Sequence, residues 1–153
     1  MENDKQSISE KIATYKGDVE QLIKYLPWLE SKSGEQTYRN YVPDQAEKDK
    51  AMSVPVYDST LLQFIKTAQK TKFVNKNYVY TYSRKRIKTA ADEHKLIDSC
   101  QIMELQVLGD ILSMYVLKGM VKGKIWSEGV SNGVLAHVVR RMKELIEFWS
   151  VPM

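Results

Sequence analysis

Three tyrosines and four cations carry the strongest chemical signal in this chain. Tyr78, Tyr80 and Tyr82 alternate with smaller residues, and Arg84, Lys85, Arg86 and Lys88 follow within five positions. On a strand, a period of two puts all three rings on one face. A row of flat rings beside clustered cations can stack bases and hold phosphates. An ordinary segment with buried rings and solvated cations has the same pattern, so the value of the signal depends on whether the rings are exposed. The surrounding stretch, residues 59–91, holds eight Lys or Arg and no Asp or Glu.

Two further groups are candidates for binding. Lys118, Lys122 and Lys124 punctuate Gly119, Gly123 and Gly129, and glycine lets a backbone approach an anion or partner closely. With Trp126 they form a candidate partner-binding surface. No Gly-x-x-x-x-Gly-Lys-Ser/Thr or Gly-x-Gly-x-x-Gly string supports a phosphate loop. Downstream, His137, Arg140, Arg141, Lys143, Glu144 and Glu147 fill the side of an amphipathic helix opposite its apolar stripe. Arg140 and Arg141 can extend a phosphate-binding patch, or pair with carboxylates on a solvated face.

Support for catalysis is thin. Cys100 and His94 lie six residues apart, but a Cys/His nucleophile pair needs a third orienting group. One Cys and two His, without HExxH or CxxC spacing, give no metal-ligand pattern and imply no cofactor. Cys100 reads as a small buried hydrophobe. The expectation is a protein that is not an enzyme.

The elements that must position these residues read as mainly α-helical. The 153 residues, 43% hydrophobic and 27% charged, suit one compact domain with a real core. Spacing at Ile8 and Ile12 is helical, and Asp18 after Gly17 reads as the N-cap of a new helix carrying Val19, Leu22, Ile23 and Leu26. Residues 30–56 form an irregular loop in which Tyr38, Tyr41 and Val42 can make a short extended piece. A helix begins at Asp58 or Ser59 and buries Leu61, Leu62, Phe64, Ile65 and Ala68, ending near Lys72. The tyrosine segment, residues 78–87, is expected as a small β-hairpin element or an extended arm.

Thr89 then caps a helix over residues 90–99, with Asp92 and Glu93 suited to its positive end. A longer helix runs over 102–118, with Gly119 as its C-terminal cap. Residues 119–133 read as a glycine-punctuated connection with at most one turn at Ser127. The last helix, 132–149, has a continuous stripe of Val134, Leu135, Val138, Val139, Met142, Leu145, Ile146 and Trp149.

The net charge of +4 is local, because residues 51–100 hold nine basic and four acidic side chains. A single cysteine permits no intrachain disulfide, and neither a signal-peptide core near Met1 nor an apolar run of membrane-spanning length is evident. The expected setting is the cytoplasm, with no membrane partner.

The stretches Tyr78 to Arg84, Tyr115-Val116-Leu117-Lys118-Gly119-Met120, Trp126-Ser127-Glu128 and Asn132-Gly133 resemble a small protein family of unassigned activity. That family is found in Firmicutes, often near phage and other mobile-element genes. The resemblance spans roughly the second half of the chain and carries no catalytic or binding residue across. It implies a bacterial or phage setting, where small basic proteins include inhibitors of host nuclease systems. The leading expectation is thus a nucleic-acid-associated binding protein, with inhibition of a bacterial defence nuclease as its sharper form. The alternative is a protein–protein adaptor or homo-oligomer that uses the apolar stripe of the last helix and its end at Phe148, Trp149, Val151 and Met153.

Overall fold

A computed structural model of the chain describes residues 2–34, 38–41 and 54–150. Eight α-helices and one 3-10 turn make up nearly all of them. They are α1 (Glu2–Ile23), α2 (Leu26–Lys32), α3 (Ser59–Gln69), α4 (Tyr78–Arg84), α5 (Ala90–Ser99), a 3-10 turn (Ile102–Glu104), α6 (Leu105–Val121), α7 (Lys124–Ser131) and α8 (Val134–Ser150). Between α2 and α3, β1 (Tyr38–Tyr41) and β2 (Val54–Tyr57) pair antiparallel, Tyr38 opposite Tyr57 and Tyr41 opposite Val54. Val42 lies outside the described residues. Among them, no helix is long and apolar enough to cross a membrane.

α8 is the organising element. Its apolar stripe is expected from sequence, and the fold spends it internally: Val134, Leu135, Val138, Val139, Met142, Leu145 and Ile146 are all buried. α1, α5, α6 and α7 pack around it, together with α2 and the 3-10 turn. One cluster of buried side chains runs from Val19 in α1 to Ile146 in α8. Burying a Val, Leu or Ile side chain contributes roughly 1.5–3 kcal/mol, so this stripe is central to stability. It is therefore not a surface awaiting a partner. Only the end of α8 remains open, with Phe148 and Trp149 exposed.

Local signals explain several helix ends. Asp58 accepts the Thr60 N–H at 2.8 Å and caps α3. Thr89 and Asp92 form a reciprocal capping box that starts α5. Three expectations give way to tertiary packing. α1 continues through Gly17 without a break, because Asp18 does not cap a helix: its carboxylate instead accepts the Lys72 N–H at 2.9 Å, tying α1 to the segment after α3. α6 passes through Gly119 instead of ending there. An ideal Cβ on Gly119 would lie 1.9 Å from Cδ1 of Trp126, so the glycine is there to admit the indole. The glycine-punctuated connection is mostly the helix α7. Leu62 on α3 also turns outward.

Candidate nucleic-acid interface and its neighbouring cavity

The tyrosine segment is a helix and not a strand or extended arm. On α4 the spacing of four brings Tyr78 and Tyr82 together, ring edge to face with centroids 6.1 Å apart. Thr81 lies on the same inward side and donates to Asp110 of α6 at 2.6 Å. Asp110 also accepts from Asn75 and Gln106, so three neutral donors serve this buried carboxylate and anchor α4 to α6. Tyr80, two positions from either neighbour, points the other way and is 68% exposed. The three-ring platform thus reduces to one open ring. Tyr78 is packed, and the Tyr82 hydroxyl is bound to Glu93.

The cations fare differently. Arg84, Lys85, Arg86 and Lys88 are all exposed at the turn between α4 and α5, and none is ion-paired among the described residues. The turn has a defined geometry. Ile87 N–H donates to the Tyr82 carbonyl at 3.0 Å and Arg86 N–H to the Ser83 carbonyl at 3.2 Å, a Schellman closure of α4. Arg86 occupies its left-handed position at φ 56°. Glycine is the usual residue there, since a side chain costs about 1–2 kcal/mol in that conformation. α5 adds a fifth cation, Lys95, which shares a groove with Lys85 and Arg86. Sequence reading missed Lys95 because Asp92, Glu93 and Asp98 surround it in the chain; only the packing of the turn against α5 joins it to the other cations.

Arg140 and Arg141 separate. Arg140 is exposed. Arg141 donates through Nε and Nη2 to the Cys100 carbonyl at 3.1 and 2.7 Å, and through Nη1 to Glu144 at 3.3 Å. It closes the C-terminus of α5, where a cation meets free carbonyls. Burial, with Glu104 adding to it, pushes the Cys100 thiol up to about 11, while Arg141 and Lys85 oppose the shift. Of the second candidate group, Lys118, Lys122 and Lys124 are exposed, and Trp126 is half-buried with its indole N–H on the Val116 carbonyl at 3.0 Å.

Beneath the turn, a polar chain runs through the helices, and sequence reading did not find it. Glu93 is 4% exposed and accepts Tyr82 Oη at 2.5 Å and Tyr115 Oη at 2.7 Å. Burial first, and Glu93 second, hold the Tyr82 hydroxyl far above the ordinary phenol value; Tyr115 is raised by burial and by its hydrogen bond to Glu93. Asn132 donates to Tyr115 Oη at 3.0 Å, accepts Val134 N–H at 2.9 Å to start α8, and offers its carbonyl to His94 Nε2 at 2.9 Å. The Nδ1 of His94 meets the Nδ1 of His137 at 2.6 Å, and His137 Nε2 meets Asp98 at 2.7 Å. His137 is thus buried between α5 and α8 and does not belong to the solvated face.

These groups are largely committed to one another. Among the described residues, no set of three His, Cys, Asp or Glu side chains converges to hold a metal ion. Comparisons with protein-family models, with curated proteins and with solved structures return no match to this chain.

Proposed function

We propose that this chain is a nucleic-acid-associated binding protein that grips phosphates at the α4–α5 turn. The observation that carries the reading is the set of four exposed cations, Arg84, Lys85, Arg86 and Lys88, that have no ion-pair partner among the described residues and sit on one hydrogen-bonded turn. A fixed turn presents charge with less ordering cost than a loose tail. The exposed Tyr80 lies one helical turn before Arg84, so one ring can stack a base beside a phosphate contact. The role is binding and not catalysis: His94, His137, Glu93 and Tyr115 hold each other across three helices. We place it in the cytoplasm of a bacterium. In the sharper form, a protein of phage or mobile-element origin shields nucleic acid from a defence nuclease; its surface has the charge that binds phosphate, not the charge that imitates it.

Fluorescence anisotropy with labelled single- and double-stranded DNA and RNA at low salt tests this. Binding is expected, with loss on changing Arg84, Lys85 and Arg86 together to Ala. No binding of any strand would sink the reading; intact binding by the triple variant would move the site elsewhere.

A second reading rests on the end of α8. Phe148 is 71% and Trp149 42% exposed, packed edge to face with centroids 5.3 Å apart. An adaptor or homo-oligomer would use this apolar pair. Light scattering after size exclusion distinguishes it: self-association that Phe148→Ser abolishes supports it, and a monomer that captures no partner excludes it.

A further inference from the structure

A cavity of about 350 Å³ opens beside the basic turn, bounded by α4, α5, α6 and α7. Ligand pockets run from about 300 to 1,000 Å³, so this one is the size for a single small molecule or one nucleotide. Its chemistry is divided. Glu93 is among its lining groups, and both of its carboxylate oxygens accept from phenols. Among the described residues no cation pairs with it. A buried carboxylate balanced by neutral donors alone is costly, and each oxygen keeps a second lone pair for another donor. Ile87, Met114 and Ile125 supply apolar wall. Lys88 and Lys118, both exposed, also line the cavity and outnumber the one exposed carboxylate there, Glu128.

An occupant must therefore offer N–H donors at one end, a flat apolar body and an anion at the other. We propose that the cavity binds one guanine nucleotide unit, whose base edge donates to Glu93 while its phosphate meets Lys88 and Lys118. Guanine presents two adjacent N–H donors, matching a carboxylate that can only accept. Adenine and cytosine each set a ring acceptor beside the single amino donor, and uracil flanks its N–H with two carbonyls. Those acceptors face a carboxylate unfavourably. The unit comes either as a free nucleotide or as an unpaired residue of a strand; the second source rests on the phosphate-binding reading above.

Calorimetric titration of the full chain with guanosine monophosphate, adenosine monophosphate and guanosine tests the site. The guanine nucleotide should bind at least tenfold more tightly than the adenine nucleotide, and more tightly than guanosine. Glu93→Gln should weaken it at least tenfold and Lys118→Ala several-fold. If Glu93→Gln does not fold by circular dichroism, Lys118→Ala on the exposed rim decides. Equal binding of the two nucleotides, no binding of either, or wild-type affinity in Lys118→Ala overturns the proposal.

Strands separate it from the broader reading. Salt-sensitive binding that is equal for a guanine-containing strand and one abasic at that position overturns the cavity assignment and leaves the phosphate grip standing. Tight nucleotide binding without strand binding supports the cavity with a free nucleotide as its ligand, and it overturns the phosphate grip.

Discussion

The Nδ1 atoms of His94 and His137 face each other at 2.6 Å, with the two rings stacked and their centroids 4.9 Å apart. The Asn132 carbonyl can only accept, so His94 Nε2 carries a hydrogen. The Asp98 carboxylate oxygen likewise calls for one on His137 Nε2.

Protonation of His137 is resisted. Burial lowers His137 from its ordinary value of 6.5; Asp98 opposes that shift, and the neighbouring His94 and Arg140 add to it. A folded-state value below the unfolded one means that the unfolded chain takes up this proton first. Stability should fall as pH drops below about 6.5 and the loss should level off once the folded protein also protonates. Urea unfolding of wild type and His137→Gln at pH 7.5 and 5.5 checks this. The wild type should lose more on acidification than the variant, and an equal or smaller loss would contradict the account.

Arg86→Gly should stabilise the fold by about 1 kcal/mol, because it removes a side chain from the left-handed position that closes α4. The same change should weaken strand binding. Denaturant midpoints and anisotropy together test the trade. A destabilised glycine variant would show that the Arg86 side chain contributes packing that the turn geometry does not reveal.

Gly119→Ala should cost about 1–3 kcal/mol or more, since its Cβ would fall inside the Trp126 indole. Gly17→Ala is the control, as nothing lies within 4 Å of a Cβ there. Replacing that mid-helix glycine should stabilise by roughly 0.5–1 kcal/mol. Thermal unfolding of the two variants should move in opposite directions.

The Cys100 thiol, raised from 9.0 to about 11 by burial, carries ~100-fold less thiolate than an ordinary cysteine near neutral pH. A thiol reagent should modify the native protein far more slowly than the urea-unfolded chain. A raised folded-state value also means that stability falls as pH rises from about 9 towards 11. Rapid native labelling would contradict the buried placement.

Helices with local instructions were legible. Thr89 with Asp92 and Asp58 with Thr60 each settle a helix start within one turn of chain, and the stripe of α8 lies wholly within its own helix. α4 was not, because alternation over five residues fits both periods. The deciding contact, Thr81 to Asp110, spans 29 positions. Glu93 reads as an ordinary first-turn carboxylate until Tyr82 and Tyr115 arrive from α4 and α6. The cations survive as a candidate site because exposure follows from their own chemistry. The rings do not, because ring burial depends on partners that sequence spacing does not name.

The salt dependence of strand binding tests the central claim most directly. With Arg84, Lys85, Arg86 and Lys88 each neutralising one phosphate, log affinity for duplex DNA should fall against log salt with a slope of roughly −3 to −4. Changing Arg84, Lys85 and Arg86 to Ala should flatten that slope by about three. An unchanged slope in a folded triple variant, or wild-type binding indifferent to salt, would contradict the phosphate grip at the α4–α5 turn.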